Sequence, residues 1–333
     1  MIYTESGVLD ELFFHHAPMR RAGEASSQVA LGHRIESFKG ELLLPSPMIL
    51  YDSPALMHEA VWARACAAFR GASVPVFASA DRFKMVPAEA VPVRFAQTFA
   101  GEPLRFDDIA TADAIQVNCW QRKTNNARWP SEAGGDQIAA YLDAIRIAAG
   151  SDVPVGVGFQ VGVCDLDIET AIAAGAEFIG VFAGDPFVSI QHVVALRRIR
   201  AACIAAGKSS MIVIASLPAV KPDEMLKLLA VGASVVSIDT SLANLASEIS
   251  AQTKQVDKQT SGGLGSALLN ALEPNDDPVG KSLERLPEQL ESCREKMIDR
   301  MAEIGATSLS TLTEANLRTS STTLSKLLGI EML

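Results

Sequence analysis

The chain has 333 residues, 48% of them hydrophobic, enough to bury a sizeable core and more than one small domain needs. Its formal charge of −10 and isoelectric point near 5.1 exclude a general nucleic-acid or anionic-membrane surface, since both select clustered Lys and Arg. What remains is a small-molecule ligand, with a protein partner or a second copy of the chain as the macromolecular alternatives.

The opening stretch "MIYTESGVLDELFFHHAPMRR" lacks a basic start followed by an apolar run. No apolar stretch approaches the roughly 20 residues of a membrane helix, so the expected compartment is the cytoplasm. Eight short apolar runs come next: "MILYD" (48–52), "VPVFAS" (74–79), "VRFAQTF" (93–99), "IQVNCW" (115–120), "VPVGVGF" (153–159), "FIGVFA" (178–183), "MIVIAS" (211–216) and "VVSID" (235–239). They are continuous rather than alternating, as strands covered on both faces are, and eight is the number that closes a parallel barrel. Between them "GDQIAAYLDAIRIAAG", "DLDIETAIAAGAE", "SIQHVVALRRIRAACIAAGK" and "KPDEMLKLLAVGA" read as helices that stop at glycine. "AIAAGAEFIGV" and "LLAVGASVVSI" repeat one unit: helix, glycine stop, short link, buried strand.

The expected fold is therefore α/β, a (β/α)8 TIM-type barrel with an irregular N-terminal segment and a C-terminal helical extension. Residues 1–40 form the segment, 41–250 the barrel, 251–287 a polar linker or surface excursion, and 288–333 the extension packed on the barrel. Residues 80–112 carry Pro87, Pro92 and Pro103 and no convincing helix, which leaves an open doubly wound sheet as the alternative for the front half. In the extension Leu290, Cys293, Met297, Met301 and Ile304 form an apolar stripe ended by Gly305. Such a stripe reads first as packing against the barrel and second as a partner surface.

Ligands of a parallel barrel sit at the carboxyl ends of its strands. There the chain places Asp52, Ser53, Ser79, Asp81, Gln121, Arg122, Lys123, Gln160, Asp185, Ser216, Asp239, Thr240 and Ser241. Lys123 could pair an anion, and Gln121 or Gln160 could read an amide or a flavin-like ring edge. The aspartates could form an acid/base or Mg²⁺ cluster, but acidic residues just past strands also cap helices. Spacing alone assembles no Ser/His/Asp or Cys/His pair. Five cysteines, odd in number and widely spread, show neither a CxxC clamp nor a disulfide framework, and five histidines give no HExxH, so no metal is expected. A phosphate cradle would need glycine-rich turns, whereas "SLPAVKPDE" and "DTSLAN" have none, and the "SGGLGS" at 261–266 is preceded by no buried strand.

The order of features resembles the FMN-binding barrel of the glutamate synthase family. "SPMILYDSPALMHEAVWARA" is similar to its entry strand and helix, and "ADAIQVNCWQRKTN" to a later stretch in which Gln121 and Lys123 match. "VPVGVGFQVGVCDLDIETAIAAGAEFIGVFAGDPFVSI" is similar to the central strand and the next loop, "AVGASVVSIDTSL" to the final strand with Thr240 matching, and "LESCREKMIDRMAEIGATSLSTLTE" to the closing helix. The chemical motifs differ: Gly158 or Phe159 stands at the strand lysine, "FAGDPFVSI" replaces a glycine-rich loop, and "ASLPAV" replaces the phosphate turn. Residues 240–292 contain no cysteine, and without thiolates no iron–sulfur cluster is ligated there.

The resemblance implies a glutamate-synthase-like barrel that binds or transforms a small polar anionic metabolite of amino-acid or 2-oxo-acid type. Substrate contacts would come from Gln121, Lys123, Gln160 and Asp185. One alternative is a non-catalytic interaction subunit. Another is an FMN-dependent oxidoreductase of amino-acid or imine substrates, with Ser216, Thr240 and Ser241 toward the cofactor.

Overall fold

In the computed structural model the described residues are 8–15, 33–36, 41–44, 46–51, 74–79, 93–99, 109, 111–119, 135–150, 152–161, 168–183, 188–217, 221–237 and 278–333. Three short strands precede the barrel: β1 (Leu12–Phe14), β2 (His33–Glu36) and β3 (Glu41–Leu44), of which β2 and β3 pair antiparallel. All eight apolar runs are strands: β4 (Met48–Tyr51), β5 (Val76–Ser79), β6 (Arg94–Phe99), β7 (Ala114–Asn118), β8 (Val155–Gln160), β9 (Phe178–Phe182), β10 (Ile212–Ser216) and β11 (Val235–Ser237). Each pairs parallel with the next, and β11 pairs parallel with β4, so the sheet closes on itself. That closure rules out the open doubly wound alternative, which would leave two free edges. The fold is a TIM-type α/β barrel.

Helices α1 (Gly135–Ala149), α2 (Ile168–Ala173), α3 (Ile190–Ala205) and α4 (Pro222–Val231) lie between the later strands. Gly175 and Gly232 end α2 and α4 at φ of 90° and 138°, a backbone region that side-chain-bearing residues rarely adopt, so glycine is what lets the chain turn into the next strand.

The end of the barrel at which the strands begin is fastened by one recurring device. A polar residue immediately before a strand accepts the backbone N–H near the head of the preceding strand: Asp113 from Arg94 at 2.8 Å, Glu177 from Val155 at 2.7 Å, and Ser234 from Val213 at 3.1 Å. Arginines brace two of these links. Arg146 of α1 reaches Glu177 at 3.4 Å and the Gly175 carbonyl, while Arg200 of α3 reaches Ser234 at 2.8 Å and the Gly232 carbonyl at 2.9 Å. The repeated phrase in the sequence is thus a repeated structural unit, down to its brace.

Beyond the barrel, α5 (Pro278–Glu303) begins ten residues ahead of the extension expected from 288 and ends before Gly305. Leu290, Met297, Met301 and Ile304 are buried, and Cys293 packs with its sulfur 3.9 Å from that of Met225 on α4. The chain after α5 is only partly helical. Strand β12 (Leu317–Thr319) pairs antiparallel with β1, α6 (Thr322–Leu328) rests on α3, and β13 (Glu331–Met332) adds a third strand. Thr319 Oγ1 donates to the Glu11 carbonyl at 2.8 Å, and Lys227 Nζ on α4 donates to the Leu9 carbonyl at 3.0 Å, so the two ends of the chain are tied to each other and to the barrel.

Candidate functional site

Side chains alternate across a strand, so register decides which residues face the barrel interior. Phe77 stacks on Phe95 with centroids 4.2 Å apart, and Phe95 meets the edge of Phe178 at 5.6 Å. These rings come from β5, β6 and β9, and Phe178 also fills the space that a Cβ on Gly156 would enter. They form an aromatic plug toward the strand beginnings.

One inward position further along, the lining becomes polar. Gln97, Gln116 and Asn118 are 8%, 0% and 0% exposed, and they form a chain. Gln116 Nε2 donates to Asn118 Oδ1 at 2.7 Å, and Asn118 Nδ2 donates to Gln97 Oε1 at 3.0 Å. Space for this chain comes from two glycines. A Cβ on Gly158 would strike Asn118 Oδ1 and stand 2.7 Å from Gln116 Nε2, and one on Gly180 would strike Gln116 Oε1. Toward the carboxyl ends the lining continues with Gln160, Phe182 and Ser216, adjacent in register on β8, β9 and β10. None of the side chains named in this lining carries a charge at neutral pH.

Of the residues expected at the rim, Gln160 and Ser216 occupy strand ends, with Gln160 buried and Ser216 half-buried. Gln121, Lys123, Asp185, Thr240 and Ser241 lie outside the described residues, as do Asp52, Asp81 and Asp239. Among the described residues no three His, Cys, Asp or Glu side chains gather as a metal site, and no helix is long and apolar enough to cross a membrane. Spacing in the sequence suggested no Ser/His pair, yet Ser189 Oγ lies 2.8 Å from His192 Nδ1. The Ser189 backbone N–H donates to the same nitrogen at 2.9 Å, which makes the pair a cap on the first turn of α3. On α1, burial raises the Tyr141 phenol above its ordinary range, and Cys119 at the end of β7 adds to the shift.

Gln97, Gln116 and Asn118 were missed by an inventory confined to strand ends. The signal was present within "VRFAQTF" and "AIQVNCW", where polar residues share the inward parity with Phe95 and Ala114.

No family model matches the chain, and no curated protein matches it. Solved structures do. Flavocytochrome b2 with sulfite bound is 13% identical, over 93% of this chain and 76% of that one, at a TM-score of 0.59. The flavin-binding domain of baker's yeast flavocytochrome b2 is 10% identical, over 93% and 76%, also at 0.59. A mandelate oxidase variant with benzaldehyde is 18% identical, over 91% and 85%, at 0.55. The chain shares their fold. The resemblance to the glutamate synthase family is corrected by these matches, because the similar structures are flavocytochrome b2 and mandelate oxidase instead. Strand order and glycine-stopped helices, which carried that resemblance, are imposed by the barrel itself and so are common to FMN barrels of different activity.

Proposed function

We propose that the chain is an FMN-dependent oxidoreductase of small 2-hydroxy or 2-oxo acids. The observation that carries this is the carboxamide chain Gln97–Asn118–Gln116 set across the interior of a closed barrel on the side where ligands of this fold bind. A carboxamide offers both a donor and an acceptor, and the pyrimidine edge of a flavin alternates the two, so the donor set fits that ring. Gln97 would meet the ring edge, held in position by Asn118 and Gln116, whose own side chains are wholly buried beneath it, and Ser216 with Thr240 and Ser241 would lie toward the phosphate. Lys123 would pair the substrate carboxylate, with Gln121, Gln160 and Asp185 completing the rim. When bound, FMN supplies the two-electron acceptor that oxidation of a hydroxy acid requires. The chain's own part is to keep this interior uncharged and dry beneath the ring, with the aromatic plug closing it. Support also comes from the similar structures, since one mandelate oxidase holds an FMN adduct and one flavocytochrome b2 holds pyruvate. On this reading the barrel of residues 41–250 holds the site, and 288–333 serve its stability.

Titration of flavin-free protein with FMN, followed by quenching of flavin fluorescence, is expected to saturate at one FMN per chain and give a yellow product. A colourless protein whose melting temperature FMN leaves unchanged would overturn the proposal in favour of an interaction subunit.

Gly180→Ala gives a sharper test of the carboxamide chain. The new Cβ would collide with the far end of Gln116, a flexible side chain that can swing aside, so the stability cost is expected to be only about 1–2 kcal/mol. FMN affinity is expected to fall at least about tenfold, because the displaced amide no longer holds Asn118 and, through it, Gln97 in place. Equal FMN affinity in variant and parent would remove Gln116 from the site.

A further inference from the structure

Gln160 is the last residue of β8, two positions beyond Gly158 and therefore on the same inward face. It is only 6% exposed, and its carboxamide makes no hydrogen bond to any described residue. The residue is thus almost wholly enclosed, yet its amide is not among the buried unpaired groups of the described residues, so it reaches the open space of the barrel interior, where a ligand can meet it. A leucine would fill the same volume, so what distinguishes glutamine at this position is the hydrogen-bonding amide it offers to that space.

The contrast with the neighbouring strands locates its role. On β6 and β7 the amides of Gln97, Asn118 and Gln116 bond one another. On β8 to β10 the lining runs Gln160, Phe182, Ser216, an open amide beside an aromatic ring that is 9% exposed and a half-buried hydroxyl. Among the described residues the interior thus has one sector whose amides bond one another and one sector whose amide has no partner.

Building on the proposed function, we infer that Gln160 determines substrate specificity: its carboxamide binds the oxygen on carbon 2 of the acid, and Phe182 faces the acid's apolar substituent. An amide suits that position because its oxygen accepts from a 2-hydroxyl and its N–H donates to a 2-carbonyl, so both oxidation states are held without a change of charge. A carboxylate there would repel the anionic ligand, and an apolar residue would leave the carbon-2 oxygen unpaired. The preferred ligand is a 2-oxo or 2-hydroxy acid with an apolar substituent, ahead of one with a methyl group.

The test uses FMN-loaded protein and benzoylformate, with pyruvate for comparison, and reads affinity from the change in the flavin's visible spectrum. Benzoylformate is expected to bind tighter than pyruvate. Gln160→Leu is expected to weaken benzoylformate at least about tenfold while FMN affinity stays within about twofold. Gln160→Glu is expected to bind benzoylformate progressively worse as pH rises through the carboxylate range, a dependence that Gln160→Leu lacks and that a structural role would not produce. The inference is overturned if both variants bind benzoylformate as the parent does, or if the FMN-loaded parent does not bind it. Failure to take up FMN instead refutes the functional reading, and benzoylformate is then titrated by thermal shift. A shift abolished by Gln160→Leu still supports the assignment of Gln160, and no shift in the parent overturns it.

Discussion

Phe95→Ala is expected to lower the free energy of unfolding by about 3–5 kcal/mol, the range for truncating a fully buried aromatic. Phe95 is fully buried and is the ring that touches both Phe77 and Phe178, so its loss removes one stacked and one edge contact together. Each such pair contributes about 0.5–1.5 kcal/mol beyond area burial. The cavity would also resist collapse, because its walls are strands held at fixed spacing by a closed ring of hydrogen bonds. Phe13→Ala, at a position 41% exposed on β1, is the control and is expected to cost no more than about 0.5 kcal/mol. Urea unfolding of the two variants measures both. A loss at Phe95 below about 1.5 kcal/mol would mean that Phe77 and Phe178 close over the gap, contrary to a rigid barrel.

The barrel was legible because its strands are buried on both faces. A run such as "FIGVFA" is apolar throughout for that reason, and glycine-ended helices between the runs supplied the α/β alternation. The N-terminal strand β1 was not legible. "LFF" is only three residues long, and its partner β12 lies roughly 300 residues away, a pairing that no local pattern encodes.

Gln160 was named as a candidate because it ends a run, where polarity replaces apolarity in plain view. Gln116 and Asn118 were passed over because they interrupt an apolar run with a period of two, and because what makes them tolerable is elsewhere. Their hydrogen bonds are to each other and to Gln97 on a different strand, and their space is cleared by glycines on β8 and β9. Such compensation is a tertiary fact, visible once register is known. The glutamate synthase resemblance failed for a related reason: it rested on the order of elements, which specifies a barrel and leaves its chemistry open.

Arg200→Ala is expected to be about as damaging as the loss of Phe95, although nothing in the sequence marks this residue. All five guanidinium N–H groups are engaged: Nε and Nη2 on the Gly232 carbonyl at 3.1 and 2.9 Å, Nη1 on the carbonyls of Ser209 and Met211 at 3.1 and 2.9 Å, and Nη2 also on Ser234 Oγ at 2.8 Å. One side chain therefore holds the end of α4, the start of β10 and the link into β11. Burial pushes the Arg200 pKa below its ordinary value, Cys203 pulling the other way. Ionised arginine is nevertheless the form present, since guanidinium does not deprotonate in proteins. Alanine would leave the Gly232 and Met211 carbonyls without their charged donor, and the loss of several half-buried hydrogen bonds to a charged group, each contributing roughly 1.5–3 kcal/mol, is expected to cost about 3–5 kcal/mol in total. Lysine, with one compact ammonium in place of a planar fork, cannot span three separate carbonyls, so Arg200→Lys is expected to recover less than half of the loss. Arg146→Ala, in the equivalent brace, is expected to cost less, about 1–3 kcal/mol, because part of its bonding goes to the exposed Asp143. Denaturant unfolding of the three variants orders them. If Arg200→Ala were no worse than Arg146→Ala, the carbonyls at Gly232 and Met211 would have to be rehydrated in the variant, and the fastening of β10 and β11 would rest on their ladder and the Ser234 link.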